Sequence, residues 1–129
     1  MKDAEVSILI VEDELPIRSL LLDVFSSRFK CWAADSASSA VRLMEARFFH
    51  LALVDSGLPG MSGISLCRLI GNMSPQTLVV IVSGNTDSES MNDAMKAGAA
   101  EYVTKPFHLS HVLSVVERSL ERRFPSSAA

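Results

Sequence analysis

Thr77-Leu78-Val79-Val80-Ile81-Val82-Ser83 is nearly all β-branched or leucine, and no polar residue alternates with the apolar ones. A strand of that kind has both faces buried, as in a parallel sheet covered by helices on each side. Four other short runs lie around it: Val6 to Val11, a weaker one from Lys30 to Ala34, His50 to Asp55, and Ala100 to Thr104. Stretches with helical spacing separate them. From Leu15 to Arg28 the apolar positions Ile17, Leu20, Leu21, Val24 and Phe25 repeat as one face of a helix. Pro16 suits its first turn, where the missing N–H costs nothing. Ser36 to Ala46 reads as a second helix, capped by Ser36 or Ser38. After the turn Leu58-Pro59-Gly60, a third runs from about Gly63 to Asn72. Asp87 or Ser88 caps a fourth that reaches about Lys96 and is ended by Gly98. The fifth runs from about Leu109 to Arg123, with Leu109, Val112, Leu113, Val116 and Leu120 on one face. Strand and helix alternate five times, which predicts an α/β fold with a parallel sheet wound right-handed.

The 129 residues suffice for one domain with a real core, and 48% hydrophobic with 21% charged residues excludes disorder as the default. A net charge of −3 gives no electrostatic reason to bind a phosphate backbone, so no direct nucleic-acid contact is expected. No apolar run approaches the ~20 residues that cross a bilayer, and no secretory h-region follows the charged start. Cys31 and Cys67 form neither a disulfide framework nor a zinc spacing and are expected to be free and packed. The chain reads as soluble and cytoplasmic, with no membrane partner.

In an open α/β sheet the site lies beyond the carboxyl ends of the strands. Strand one ends in Glu12-Asp13, strand three in Asp55, strand four in Ser83-Gly84 and strand five in Thr104-Lys105-Pro106. Three converging carboxylates repel one another unless a cation joins them. Oxygen ligands in low number suit Mg²⁺, with Mn²⁺ as a substitute. A lysine and a hydroxyl beside them suit a phosphoryl group. The residues by themselves therefore predict a divalent-metal site for phosphoryl transfer.

Here the sequence resembles the receiver domain of two-component response regulators, over about Val6 to Arg123. The matching pieces are Ile8-Leu9-Ile10-Val11-Glu12-Asp13-Glu14; Leu53-Val54-Asp55 with Leu58-Pro59 and Gly63; Val82-Ser83-Gly84; Gly98-Ala99; and Tyr102-Val103-Thr104-Lys105-Pro106-Phe107. The resemblance implies a flavodoxin-like (βα)5 doubly wound fold, its five-stranded sheet in the order 2-1-3-4-5. It implies one receiver domain over residues 1–124, with 125–129 a C-terminal tail or the start of a linker. Asp55 would be the phosphoacceptor, taking its phosphoryl group from a phosphohistidine on a sensor histidine kinase or phosphotransfer protein. Glu12, Asp13, Asp55 and the backbone carbonyl of Gly57 would hold Mg²⁺. Ser83 and Lys105 would bind the phosphoryl oxygens, and Ser83 with Tyr102 would form the switch. The Lys105–Pro106 peptide would be cis. Such a domain promotes its own phosphorylation and dephosphorylation and is not a turnover enzyme. Its partners would be the kinase, an output domain or effector, and a second copy after phosphorylation. Ser56, Gly57 and Asn85 depart from the commonest residues at positions that tune dephosphorylation in the family.

Other classes predict other residues. A flavodoxin-like FMN protein needs a Ser/Thr/Gly-rich phosphate loop where this chain has Glu-Asp-Glu-Leu-Pro. A haloacid-dehalogenase-type phosphatase needs Asp-x-Asp, whereas Asp13 is followed by Glu14-Leu15. A phosphorylation-independent pseudo-receiver remains the alternative, though its usual mark is loss of an acid, the acceptor or the lysine. His108 and His111 lack a third ligand, His50 reads as solvated or capped, and Trp32 as partly buried. Met91 and Met95 read as core. Leu22 reads as an exposed kinase contact on the first helix, with Leu15, Arg18 and Ser19 beside it. Asn92, Lys96, Glu101, Val115 and Arg118 are expected on the signalling face of helix four, strand five and helix five, with Val115 as an apolar contact.

Overall fold

In the computed structural model, which describes residues 2–125, the five runs form one parallel sheet. Its strands are β1 (Ser7–Val11), β2 (Lys30–Ala34), β3 (Leu51–Asp55), β4 (Leu78–Ser83) and β5 (Glu101–Thr104), in the order β2-β1-β3-β4-β5. The helices are α1 (Leu15–Ser26), α2 (Ala37–Ala46), α3 (Gly63–Met73), α4 (Ser88–Lys96) and α5 (Leu109–Arg123). A short 3₁₀ turn, Asp3–Glu5, precedes β1. The order is the flavodoxin-like one. Residues 126–129, most of the segment read as a tail or linker, lie outside the described residues.

Local chemistry sets the helix starts. Ser36 and Ser39 cap α2 reciprocally, each side chain bonding the other's backbone N–H. Ser62 accepts from the Ser65 N–H at α3, and Asp87 from the Ser90 N–H at α4. Gly60 and Gly98 have positive φ, +76° and +103°, where a side chain would be strained.

The sheet divides the core in two. Leu9, Val11, Ala52, Val54, Val79 and Ile81 face α2, α3 and α4. Ile8, Ile10, Leu51, Leu53, Val80, Val82 and Val103 face α1 and α5. Strand pleating separates the sets, because successive side chains point to opposite faces. The register brings the strand ends level: Val11 lies opposite Val54, Asp55 opposite Val82, and Ser83 opposite Thr104.

Several side chains lie elsewhere than the helical spacing predicts. Leu20 is 47% exposed, whereas Leu22 packs against the core. The two flank the Ile17–Leu21–Phe25 stripe at equal angles, and α1 is rolled toward Leu22. Leu15 and Leu20 are therefore the exposed leucines of α1, and the surface contact assigned to Leu22 is withdrawn. In α5 a similar roll buries Val115 at 4% exposure, so it is core and not an apolar contact of the signalling face. The same roll buries the Ser119 hydroxyl without a hydrogen-bond partner. Met91 and Met95 are exposed, because α4 approaches the sheet through Ala94, with Ala97 and Ala99 beyond it. Trp32 is half-buried, with Arg47 stacked over its ring at 3.8 Å. Cys31 and Cys67 are free thiols, half-buried and buried. His50 is half-buried, and its Nδ1 takes up a backbone group: it accepts the Ser7 N–H at 3.0 Å, while Phe48 and Phe124 meet its ring edge-on.

The start of α3 is pressed against the end of β3. A Cβ built on Gly63 would lie 2.2 Å from the Asp55 carbonyl oxygen and 2.7 Å from Ser56 Cα, whereas one on Gly71 would meet nothing within 4 Å. Gly63→Ala should destabilise the fold by about 1–3 kcal/mol, as overpacking does. Gly71→Ala, in the same helix, should stabilise it by up to about 1 kcal/mol. Urea unfolding of both variants checks the pair; equal effects would remove the close approach as the cause.

Candidate functional site

At the carboxyl end of the sheet, pleating sorts the side chains again. Glu12 continues the parity of Ile8 and Ile10, Asp55 that of Leu51 and Leu53, and Lys105 that of Val103. These three charged groups meet. Lys105 Nζ donates to Glu12 Oε1 and to Asp55 Oδ1, at 3.2 Å each. Glu12 is 2% exposed and Asp55 7%, so the carboxylates depend on protein partners. Asp55 Oδ1 also accepts the Gly57 N–H at 3.3 Å, and Glu12 Oε2 the Glu14 N–H at 3.2 Å.

Asp13 is exposed and completes the acid group. Glu12, Asp13 and Asp55 each offer one oxygen, and these oxygens lie within 4.8 Å of one another. Arg18, from the first turn of α1, donates to the Glu12 and Asp13 carbonyls at 3.0 and 3.3 Å. The guanidinium thus fixes the backbone that carries the acid pair.

Burial is the main reason the Glu12 carboxyl is pushed up to about 7; the Asp55 charge adds to it, and the Glu14 N–H and Lys105 oppose it. Burial pulls the Lys105 ammonium down, but Asp55 and Glu12 outweigh it and hold the group above its ordinary value. Protein charge alone therefore leaves the three carboxylates incompletely balanced. A set of carboxylate oxygens at such spacing fits a hard divalent cation.

The second parity carries hydroxyls. Ser83 continues Val79 and Ile81, and Tyr102 packs on that same side of the sheet. Ser56 follows Ala52 and Val54, and its N–H extends the ladder to the Val82 carbonyl at 2.9 Å. Ser56 Oγ donates to Ser83 Oγ at 2.7 Å, and the Asn85 N–H donates to the same oxygen at 3.1 Å. The Tyr102 hydroxyl donates to the Asn85 carbonyl at 2.7 Å. The Lys105–Pro106 peptide is cis.

All residues named at the strand ends thus lie at one edge of the sheet, in two groups. Glu12, Asp13 and Asp55 are in mutual reach, Lys105 bonds the first and the last of them, Gly57 adjoins Asp55, and Ser83 and Tyr102 share a separate network. The sequence reading missed Arg18 as a brace, and saw Ser56 and Asn85 only as departures from a family pattern. Strand parity was a partial signal: it sets Ser56 and Ser83 on the same face of the sheet, and only the register of β3 with β4 makes them neighbours. His108 and His111 are exposed at the start of α5, with no place in either group. A concavity of about 320 Å³ between Phe29, Arg28, Glu117 and Phe124 lies at the opposite end of the sheet. Among the described residues, no helix is long and apolar enough to cross a membrane.

Comparison with known proteins reaches the same edge of the sheet. The chain is 34% identical to the response regulator protein PilR of Pseudomonas aeruginosa over 121 residues, covering 92% of this chain and 27% of that protein. It is 31% identical to the response regulator protein FleR of the same organism, covering 93% and 26%. The chain thus spans about a quarter of the length of the curated relatives it matches. The beryllofluoride-activated receiver domain of DrrB from Thermotoga maritima superposes with a TM-score of 0.84 at 30% identity, over 92% of this chain and 99% of that one. The model of the response regulator receiver domain matches residues 8–117. That match runs from within β1 into the middle of α5 and takes in every strand end described above, so the chain belongs to the receiver domain family of two-component response regulators.

Proposed function

We propose that the chain accepts a phosphoryl group on Asp55 from a phosphohistidine of a sensor histidine kinase or phosphotransfer protein, in a Mg²⁺-dependent reaction. The observation that carries this reading is the lysine ammonium shared between Glu12 and Asp55 beside a third, exposed acid. Glu12, Asp13, Asp55 and the Gly57 carbonyl would hold Mg²⁺ or Mn²⁺, which would offset the carboxylate charge against an incoming anion. A carboxylate oxygen of Asp55 attacks phosphorus, and the P–N bond of the donor breaks with its electron pair leaving on the imidazole. Lys105 follows the charge onto the transferred oxygens as a point cation. The product is an acyl phosphate on a signalling module, not the turnover of an outside substrate.

The signal would leave through α4, β5 and α5. Ser83 turns toward the phosphoryl oxygens, Tyr102 moves with the loop it bonds, and a face including Asn92, Lys96, Glu101 and Arg118 is remodelled. The proposed receivers of that change are an output domain, a separate effector or a second copy of the chain. A phosphorylation-independent interaction module is the competing reading, and labelling decides between them.

Acetyl phosphate with Mg²⁺ should label the chain once, on Asp55, with a product that hydroxylamine cleaves. Intact-mass measurement of wild type and Asp55→Asn checks this. A hydroxylamine-resistant label, full labelling of Asp55→Asn, or no label at all would defeat the reading.

The raised carboxyl of Glu12 sets a pH dependence. Its folded value of about 7 lies above the ordinary 4.5, so its protonated form favours folding. That contribution is complete below about pH 4.5 and is lost as pH rises through about 7. In EDTA the melting temperature should therefore fall across this window, and Glu12→Gln should flatten the fall. Mg²⁺ should reverse the loss at the alkaline end, by about 2.7 kcal/mol at 100 times Kd. Melting that is indifferent to Mg²⁺ above pH 7 would remove the metal site.

A further inference from the structure

Ser83 has two oxygen lone pairs, and both are engaged. Ser56 Oγ–H takes one at 2.7 Å and the Asn85 N–H the other at 3.1 Å. Ser83 as a residue is 1% exposed, so these bonds are made away from water. Pleating sets Ser56 and Ser83 on the side of the sheet that packs α2, α3 and α4, and Asp55 with Glu12 and Lys105 on the other parity. A hydroxyl held in that way is turned from the carboxylate it is to serve.

We propose that Ser56 is a latch on Ser83: a positioning residue whose hydroxyl holds Ser83 on the α3–α4 side of the sheet until a phosphoryl group on Asp55 draws it across. The latch deepens the phosphoacceptor reading and rests on it. Ser83 reaches a phosphoryl oxygen by rotating about its Cα–Cβ bond, and the rotation gives up the bond from Ser56. The resting state holds the hydrogen bond from Ser56, which the activated state lacks, and that bond biases the equilibrium between them toward rest. Asn85 extends the hold to the switch tyrosine. Its N–H lies on Ser83 and its carbonyl on the Tyr102 hydroxyl at 2.7 Å, so Ser83 and Tyr102 are released together. Among the described residues, the Ser56 side chain makes its hydrogen bond to Ser83 and none to the acid group.

The test compares wild type, Ser56→Ala and Ser56→Thr by NMR and by titration with beryllofluoride in Mg²⁺. Without the latch a larger fraction of molecules is competent, so Ser56→Ala should bind beryllofluoride roughly two- to tenfold more tightly. Its Ser83 and Tyr102 signals, in the absence of beryllofluoride, should be displaced toward their positions in the activated wild type. Ser56→Thr, which keeps the hydroxyl, should restore both properties. In a Ser83→Ala background, Ser56→Ala should change the affinity by less than about twofold, since the partner of the bond is gone. Signals and affinity equal to wild type in Ser56→Ala overturn the latch, and so does weaker binding, which would make Ser56 a contact of the phosphoryl group. A wild type that responds while Ser56→Ala is indifferent defeats the latch alone. A wild type that takes neither beryllofluoride nor a label on Asp55 defeats the phosphoacceptor reading and the latch with it.

Discussion

The ammonium of Lys105 is shared between two buried carboxylates, 3.2 Å from each, and the architecture exists to make that meeting possible. Glu12 and Lys105 are 93 residues apart in the chain, and Lys105 and Asp55 are 50 apart. No local structure brings them together. The meeting requires β1 and β3 to be neighbours, β4 and β5 to follow, and every strand to end at the same height. Desolvation of the acids raises the energy of the metal-free state, and the lysine offsets only part of it. A site in that condition gains from binding a cation, whereas a site already neutral would gain little.

Pleating then divides labour at the strand ends. Glu12, Asp55 and Lys105, of one parity, carry charge; Ser56, Ser83 and Tyr102, of the other, carry hydroxyls. The two groups are joined through adjacent residues of one strand end, Asp55 and Ser56. Neither group needs to touch the other at rest, and the neutral network of Ser56, Ser83, Asn85 and Tyr102 can have its own geometry without disturbing the charges.

Much of this is legible in the amino-acid order. The unbroken apolar run of β4 and five strand–helix alternations specify a parallel sheet, and the residues closing each run specify where chemistry sits. What failed was rotation of helices about their axes. Leu20 and Leu22 stand at equal angles from the α1 stripe, so periodicity cannot choose between them, and packing against the sheet chose Leu22. Val115 was lost for the same reason in α5. The exposed methionines of α4 show a different limit: small alanines set how close a helix approaches, and the larger residues beside them are then left outside. The link between Ser56 and Ser83 was hidden because it needs the register of two strands, which the pattern of either one does not contain.

The six residues of β4, all buried, also bear on how the chain is made. They carry no charge and no proline, a composition that pairs readily with other extended chains while exposed. Val80 and Val82 share a core layer with Val112, Val115 and Val116, and all three belong to α5. During synthesis from the amino end, that core layer stays incomplete until α5 has left the ribosome. The most strongly apolar element of the domain therefore completes its packing only after α5 has emerged, and in that interval it is the segment most open to pairing with another extended chain.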